Sequence, residues 1–200
     1  MHEILTDIFI WSWFSEPHGY HFNGFFIRHP AGNLCIDPAE PDEAVLNELT
    51  HQGVAHILLT NRNHVRAANR VRLTTKAPTA IHPADAAYAR AQGAELNDEL
   101  QVGEEVGPLV SVGVPGKSPG ELAFYWPERK ILLVGDAVIG NPPGSLGLLR
   151  ESVMDDPPRL RESVRKLLDL DLDALLVGDG QPLLQDAKAR LVDLVHTLPK

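Results

Sequence analysis

The sequence predicts a mixed α/β fold: two β-sheets packed face to face, with helices on their outer sides. Three observations point there. Apolar runs without polar interruption, Ile57 to Leu59 and Ala174 to Val177, suit strands buried on both faces. Stretches with apolar residues at helical spacing alternate with them, as in Pro41 to Gln52 and Arg159 to Leu170. The two halves of the chain each run strands first and helices after, which fits a sandwich of two sheets flanked by helices.

The elements follow in order. Asp7 to Phe14 is rich in aromatic and β-branched residues and reads as a strand, broken by Ser15-Glu-Pro-His-Gly19. Tyr20 to Arg28 is the second strand and Leu34 to Asp37 the third, with Pro30 to Asn33 as the turn between them. Pro41 to Gln52 places Ala44, Val45, Leu46 and Leu49 on one side, carries acids at its start and meets Gly53 at its end, so it reads as an amphipathic helix. It leads into the Ile57 strand. Thr60 to His64 then turns polar, and Val65 to Arg72 continues as a helix with Asn61 or Asn63 as its N-cap. Thr79 to Ile81 is a short strand, His82 to Ala91 a helix with proline in its first turn, and Glu95 to Gly107 an acidic loop. Leu109 to Val114, Glu121 to Trp126 and Lys130 to Val134 read as three strands, and Asn141 to Gly144 as an inserted loop. Arg159 to Leu170 is a helix with two prolines before it, Ala174 to Val177 a strand, and Gln185 to Leu198 a closing helix. There is no internal repeat, low-complexity tract or linker.

Size and composition narrow the function. A chain of 200 residues fits one domain, 1–200, and its 44% hydrophobic content is that of a globular protein. Lys plus Arg is 18 against 27 Asp plus Glu, a net charge of -9, which repels phosphate backbones and argues against general nucleic-acid binding. Arg62, Arg66, Arg70 and Arg72 cluster beside the polar turn and keep a small anionic ligand in view. The lone cysteine, Cys35, excludes an intrachain disulfide and lies in an apolar run where a free thiol reads as a buried small hydrophobe. No signal peptide is evident, and no apolar run approaches the roughly 20 residues that span a bilayer. A soluble, cytoplasmic protein without membrane partners is expected, its oligomeric state left open.

Four strand ends carry the candidate chemistry, and together they resemble the metallo-β-lactamase-fold hydrolases. In that family a buried strand ending in Leu-Thr is followed by His-x-His-x-Asp-His, which holds one or two metal ions. Here Leu59-Thr60 is followed by Asn61-Arg-Asn-His-Val-Arg66. Without a gap, Asn61 and Asn63 replace the first two histidines, Val65 the Asp and Arg66 the last His. With a two-residue deletion, the preferred alignment, Asn63 replaces the Asp and His64 keeps the last His. Gly116-Lys-Ser-Pro-Gly120 matches the family's Gly-His-Thr-x-Gly, with Lys117 in place of a ligand. Gly135-Asp136 keeps the Asp that bridges two metals in the family. Gly178-Asp-Gly180 matches Gly-His-Gly, with Asp179 in place of the final ligand. Asn23 and Asp37-Pro-Ala39 fall where the family has an Asn and an Asp-Pro-Gly-like loop.

The resemblance covers most of the chain and implies the metallo-β-lactamase fold, a four-layer αββα sandwich. It places Asn61, Asn63, His64, Lys117, Asp136 and Asp179 in one pocket. The catalytic residues are not identified. A metal could be held at the matched positions only by His64, Asp136 and Asp179, one nitrogen and two carboxylates. That set implies no metal or a single divalent ion (zinc, manganese or iron) rather than dinuclear zinc. Lys117 is a poor ligand when protonated, and its ammonium can replace lost metal charge by pairing with Asp136 or Asp179. Taken singly, both Asp residues also read as turn caps and His64 as a capping or surface histidine. His18 and His21 lie in an early loop without ligand spacing. Two functions follow. One is a non-catalytic member whose dinuclear site is mostly lost and which binds a small ligand, anionic in character, or a protein partner. The other is a metal-dependent hydrolase of an ester, thioester or phosphoester with a reduced mononuclear site.

Overall fold

In the computed structural model, which describes residues 1–199, two sheets lie face to face. The first has seven strands: β1 (His2–Leu5), β2 (Ile8–Ser15), β3 (Tyr20–Ile27), β4 (Leu34–Ile36), β5 (His56–Leu58), β6 (Thr79–Ile81) and β7 (Asp98–Glu99), in the same order in space as in sequence. The second has five: β8 (Glu105–Val106), β9 (Leu109–Gly113), β10 (Leu122–Trp126), β11 (Ile131–Val134) and β12 (Ala174–Val177), ordered β12-β11-β10-β9-β8. The helices are α1 (Glu43–Gln52), α2 (Ala68–Thr75), α3 (Pro83–Ala91), α4 (Pro157–Lys166) and α5 (Ala187–Thr197).

Side-chain alternation builds the layers. In β3, Phe25 and Ile27 face the second sheet while Phe26 faces the helices, because successive side chains leave opposite faces of a strand. Phe25, Ile36 and Leu58 of the first sheet meet Leu122, Phe124, Leu133 and Leu176 of the second in the central layer. Phe26, Cys35 and Ile57 pack against Val45, Leu49, Val71 and Ala86 of α1 to α3. Leu132, Val134, Leu175 and Val177 pack against Leu160, Val164 and Leu191 of α4 and α5. The αββα sandwich is thus present, and each large apolar side chain buried in it contributes about 1.5–3 kcal/mol of transfer free energy.

Strand direction places the site. β4 and β5 run parallel, as do β11 and β12, and each ends on the same edge of the sandwich with a polar residue: Asp37, Thr60, Asp136 and Asp179. Ligands in sheets of this kind gather at the carboxyl ends of parallel strands.

Several elements differ from expectation. β1 adds a strand before Asp7, paired with β2. The acidic stretch from Glu95 to Gly107 contains the short edge strands β7 and β8. His21 lies within β3, not in a loop. Neither Asn61 nor Asn63 caps α2. That helix starts at Ala68 without a side-chain cap, because Asn61 Oδ1 instead accepts the Asn63 N–H at 2.8 Å and closes a turn. Pro157 and Pro158 lie inside the first turn of α4, where their missing N–H groups cost nothing, and the Asp156 side chain caps it. Past Lys166 the chain tightens into a short 3-10 turn.

Candidate functional site

Asp37 begins the site. It follows β4 with φ 45, a left-handed backbone that Asp tolerates better than most residues, and it is buried. Its Oδ1 accepts the Thr60 N–H at 2.8 Å, and its Oδ2 accepts the Thr60 hydroxyl at 2.6 Å and His64 Nδ1 at 2.7 Å. Three donors on one carboxylate lock the end of β5 to the end of β4.

His64 is 1% exposed and lies under the two Gly-Asp turns. A Cβ on Gly178 would come within 2.6 Å of His64 Cε1, and one on Gly135 within 2.2 Å of Thr60 Oγ1. Glycine before each Asp is therefore a packing requirement. His64 Nε2 lies 3.2 Å from Asp136 Oδ1 and 3.9 Å from Asp179 Oδ1. Burial and the neighbouring Arg66 oppose charge on the ring. Asp37 and Asp136 outweigh them and raise its pKa from 6.5 to about 9. Nδ1 donates to Asp37, while Nε2 lies between Asp136 Oδ1 at 3.2 Å and the Arg66 guanidinium at 2.9 Å, whose N–H groups can only donate.

Two further cations complete the floor. Lys117 Nζ lies 2.7 Å from Asp136 Oδ2 and donates to Asn63 Oδ1 at 2.5 Å. Burial works against the Asp136 carboxylate, yet His64 and Lys117 hold its pKa far below the usual range. Arg66 reaches Asp179 Oδ1 at 2.5 Å, passes 2.9 Å from His64 Nε2 and lays its guanidinium over the Phe22 ring at 4.3 Å. Burial first, and Asp136 after it, raise the Asp179 pKa against the pull of Arg66. The Asp179 turn is held from the other sheet. Asn23 Nδ2 donates to the carbonyls of Val177 and Gly180, both at 2.8 Å, while Ser12 Oγ donates to Asn23 Oδ1 at 2.7 Å.

Asn63, His64, Lys117, Asp136 and Asp179 line one cleft of about 510 Å³, with Tyr20, Arg66 and Arg150 on its walls. His18 also lines it. The Tyr20 hydroxyl, pushed up to about 12 by burial and then by Asp179 and Asp136, stays neutral. Asn61 is not on the cleft surface. It is fully buried behind it, its amide directed at Glu121 Oε1 at a long 3.4 Å. Glu121 is itself buried, its Oε2 has no partner, and burial followed by Asp136 raises its pKa well above the ordinary value, which disfavours its charged form. Of the four clustered arginines only Arg66 lines the cleft. Arg62 pairs with Asp155, Arg70 with Glu40 and Glu43, and Arg72 with Glu95.

A model of the metallo-beta-lactamase superfamily matches residues 3–198. The chain belongs to that superfamily. A hydroxyacylglutathione hydrolase of Cereibacter sphaeroides is 31% identical over 132 residues, 62% of this chain and 51% of that protein. The chain thus spans about half the length of the first curated relatives it matches. Among solved structures, TTHA1623 in a di-iron-bound form is 26% identical at a TM-score of 0.69, over 90% of this chain and 98% of that one. A metallo-beta-lactamase from Pontibacter korlensis reaches a TM-score of 0.80 over 98% of both chains at 16% identity, a likeness of fold.

For a member of this superfamily, the donor set is the point of interest. His64, Asp136 and Asp179 bring their ligand atoms within 4.8 Å of one another, so they form a group able to hold a metal ion. Each is also engaged by protein: Asp136 by Lys117 and His64, Asp179 by Arg66, and His64 by Asp37. Sequence reasoning missed Arg66 as the partner of Asp179 and Asp37 as the partner of His64. The signal for Asp37 was its Asp-Pro loop, and for Arg66 its place at the last histidine in the ungapped alignment. No membrane-crossing helix is present among the described residues.

Proposed function

We propose that this chain is a superfamily member that binds a small anionic ligand without a metal ion. One observation carries the reading: side-chain cations lie where a metal would neutralise the carboxylates, Lys117 on Asp136 at 2.7 Å and Arg66 on Asp179 at 2.5 Å. With His64 protonated, three cations face Asp37, Asp136 and Asp179, so the charge closes without an added ion. Metal ligands must be deprotonated and free, and His64 Nε2 already lies 3.2 Å from Asp136 Oδ1 and 2.9 Å from the Arg66 guanidinium. One imidazole and two carboxylates do not supply the nitrogen-rich shell of a two-zinc centre. The cleft then offers a charge-balanced, hydrogen-bonding floor, with Arg150 on its wall as the cation left to meet an anion.

The experiment is elemental analysis of protein purified without chelator, followed by titration with zinc, manganese and iron. Less than a tenth of an equivalent of metal, and no uptake at micromolar ion, is the expected result. One tightly held equivalent would favour the second reading, a mononuclear hydrolase of an ester, thioester or phosphoester. The compact His64, Asp136 and Asp179 group and the hydrolase relative support that alternative. There the ion would supply Lewis acidity and an acidified water. Lys117 and Arg66 would first have to leave the two carboxylates.

A further inference from the structure

A second hollow adjoins the cleft. It measures about 730 Å³ and opens beside β2 and β3, with Ile4, Ile10, Phe14, Pro143 and Leu184 among its walls. Tyr20 and Asn141 line both spaces, so one ligand can straddle the ridge they form. The two sides differ in chemistry. On the cleft side, Arg150 is exposed and forms no ion pair among the described residues, whereas Lys117 and Arg66 are paired. On the other side, Phe14 and Leu184 stand 41% exposed each at the rim of a largely apolar trough. An unpaired cation on one side of a ridge and unfilled apolar surface on the other are complementary to an amphipathic anion.

We infer that the ligand is an acyl carboxylate with an apolar tail, its head on Arg150 beside the Tyr20 hydroxyl and its tail in the trough along Ile10, Phe14 and Leu184. This rests on the anion-binding reading of the cleft and adds the trough, which that reading does not need. Each methylene that enters the trough leaves water, and burial of that size tightens binding about three- to fourfold per group. Tyr20 and Asn141 give the ridge polar atoms for the head; the trough beyond it is apolar over most of its surface, with His2, Ser12, His21 and Gln181 also on its walls. The exposed head pair adds about fivefold, less than a tail of several methylenes taken together.

The test uses the full chain, its metal content measured first, titrated by ligand-observed NMR with acetate, butyrate, hexanoate and octanoate, and with octylamine as the charge-reversed control. Affinity should rise about three- to fourfold per methylene from butyrate to octanoate, and octylamine should not bind. Arg150→Gln should weaken all four carboxylates about fivefold, and Leu184→Glu should weaken octanoate while leaving butyrate unchanged. Both residues are at the surface, so the variants should fold. Affinity that does not change with chain length, or octylamine binding as well as octanoate, would overturn the assignment. A metal-loaded protein with the expected slope removes the metal-free reading and keeps the ligand class. A metal-free protein with a flat slope does the reverse.

Discussion

Lys117 shows what a single substitution does to a site built around charge. Its ammonium is buried beside Asp136, and both are nearly out of water. Lys117→Met would leave one oxygen of a buried carboxylate without its cation, a change that costs about 3–5 kcal/mol. Thermal unfolding should therefore show a clear loss, and a wild-type melting temperature would mean the ammonium has no structural role. Lys117→His removes the same charge but restores a ligand type next to Asp136. With zinc added it should recover part of the loss, and no response to zinc would show that the pocket no longer accepts an ion. That Lys117 faces an acid was legible from the sequence, because the family pattern puts both at strand ends. Which acid was not, since the choice depends on the loop after β9 and on Asn63 holding the ammonium from the other side.

At the scale of elements, strands and helices with their own periodicity were readable, and those defined by a distant partner were not. Apolar runs marked β5, β11 and β12, and the acids at the start of Pro41 to Gln52 with Gly53 at its end marked α1, whose cap the structure places at Asp42. β1, β7 and β8 are two to four residues long and exist because a neighbouring strand pairs with them. The start of α2 was misread because an Asn side chain serves a turn as readily as a cap. The joint between β3, β12 and the loop after β5 is likewise a long-range product, made by Asn23 and by the absence of a Cβ at Gly178. Gly178→Ala would press a methyl to 2.6 Å from His64 Cε1. Overpacking of this kind costs about 1–3 kcal/mol, and urea unfolding should report a loss of that size. An unchanged midpoint would show that the His64 ring is free to move away from the β12 turn. Gly178 has no left-handed φ, so the effect would be steric alone.

The whole molecule ties its stability to pH through the same buried groups, and each sign can be worked out. The His64 pKa rises from 6.5 to about 9 on folding. A raised pKa on a base stabilises the fold fully below the unfolded value, and that contribution fades as pH climbs through the folded value. A rise of this size corresponds to roughly 3 kcal/mol lost between about pH 6.5 and 9. Glu121 works in the same direction from a different cause. Burial raises its pKa on folding, so as pH climbs above the ordinary carboxylate range toward the folded value the unfolded chain, in which it ionises first, is favoured. Asp136 has the opposite sign: held ionised by His64 and Lys117, it stabilises the fold above the ordinary carboxylate range and loses that contribution as pH falls below it. The sum places maximum stability on the mildly acidic side of neutral, with a loss toward pH 9 and another below about pH 4. Urea unfolding at pH 5.5, 7.5 and 9 checks the alkaline limb, and the His64 Cε1 proton followed by NMR over the same range assigns it. Constant stability from pH 6.5 to 9, with the ring titrating near 6.5, would show that His64 is neutral in the fold. The three-cation account of the site would then lose one of its members, and the carboxylates would be left to Lys117 and Arg66 alone.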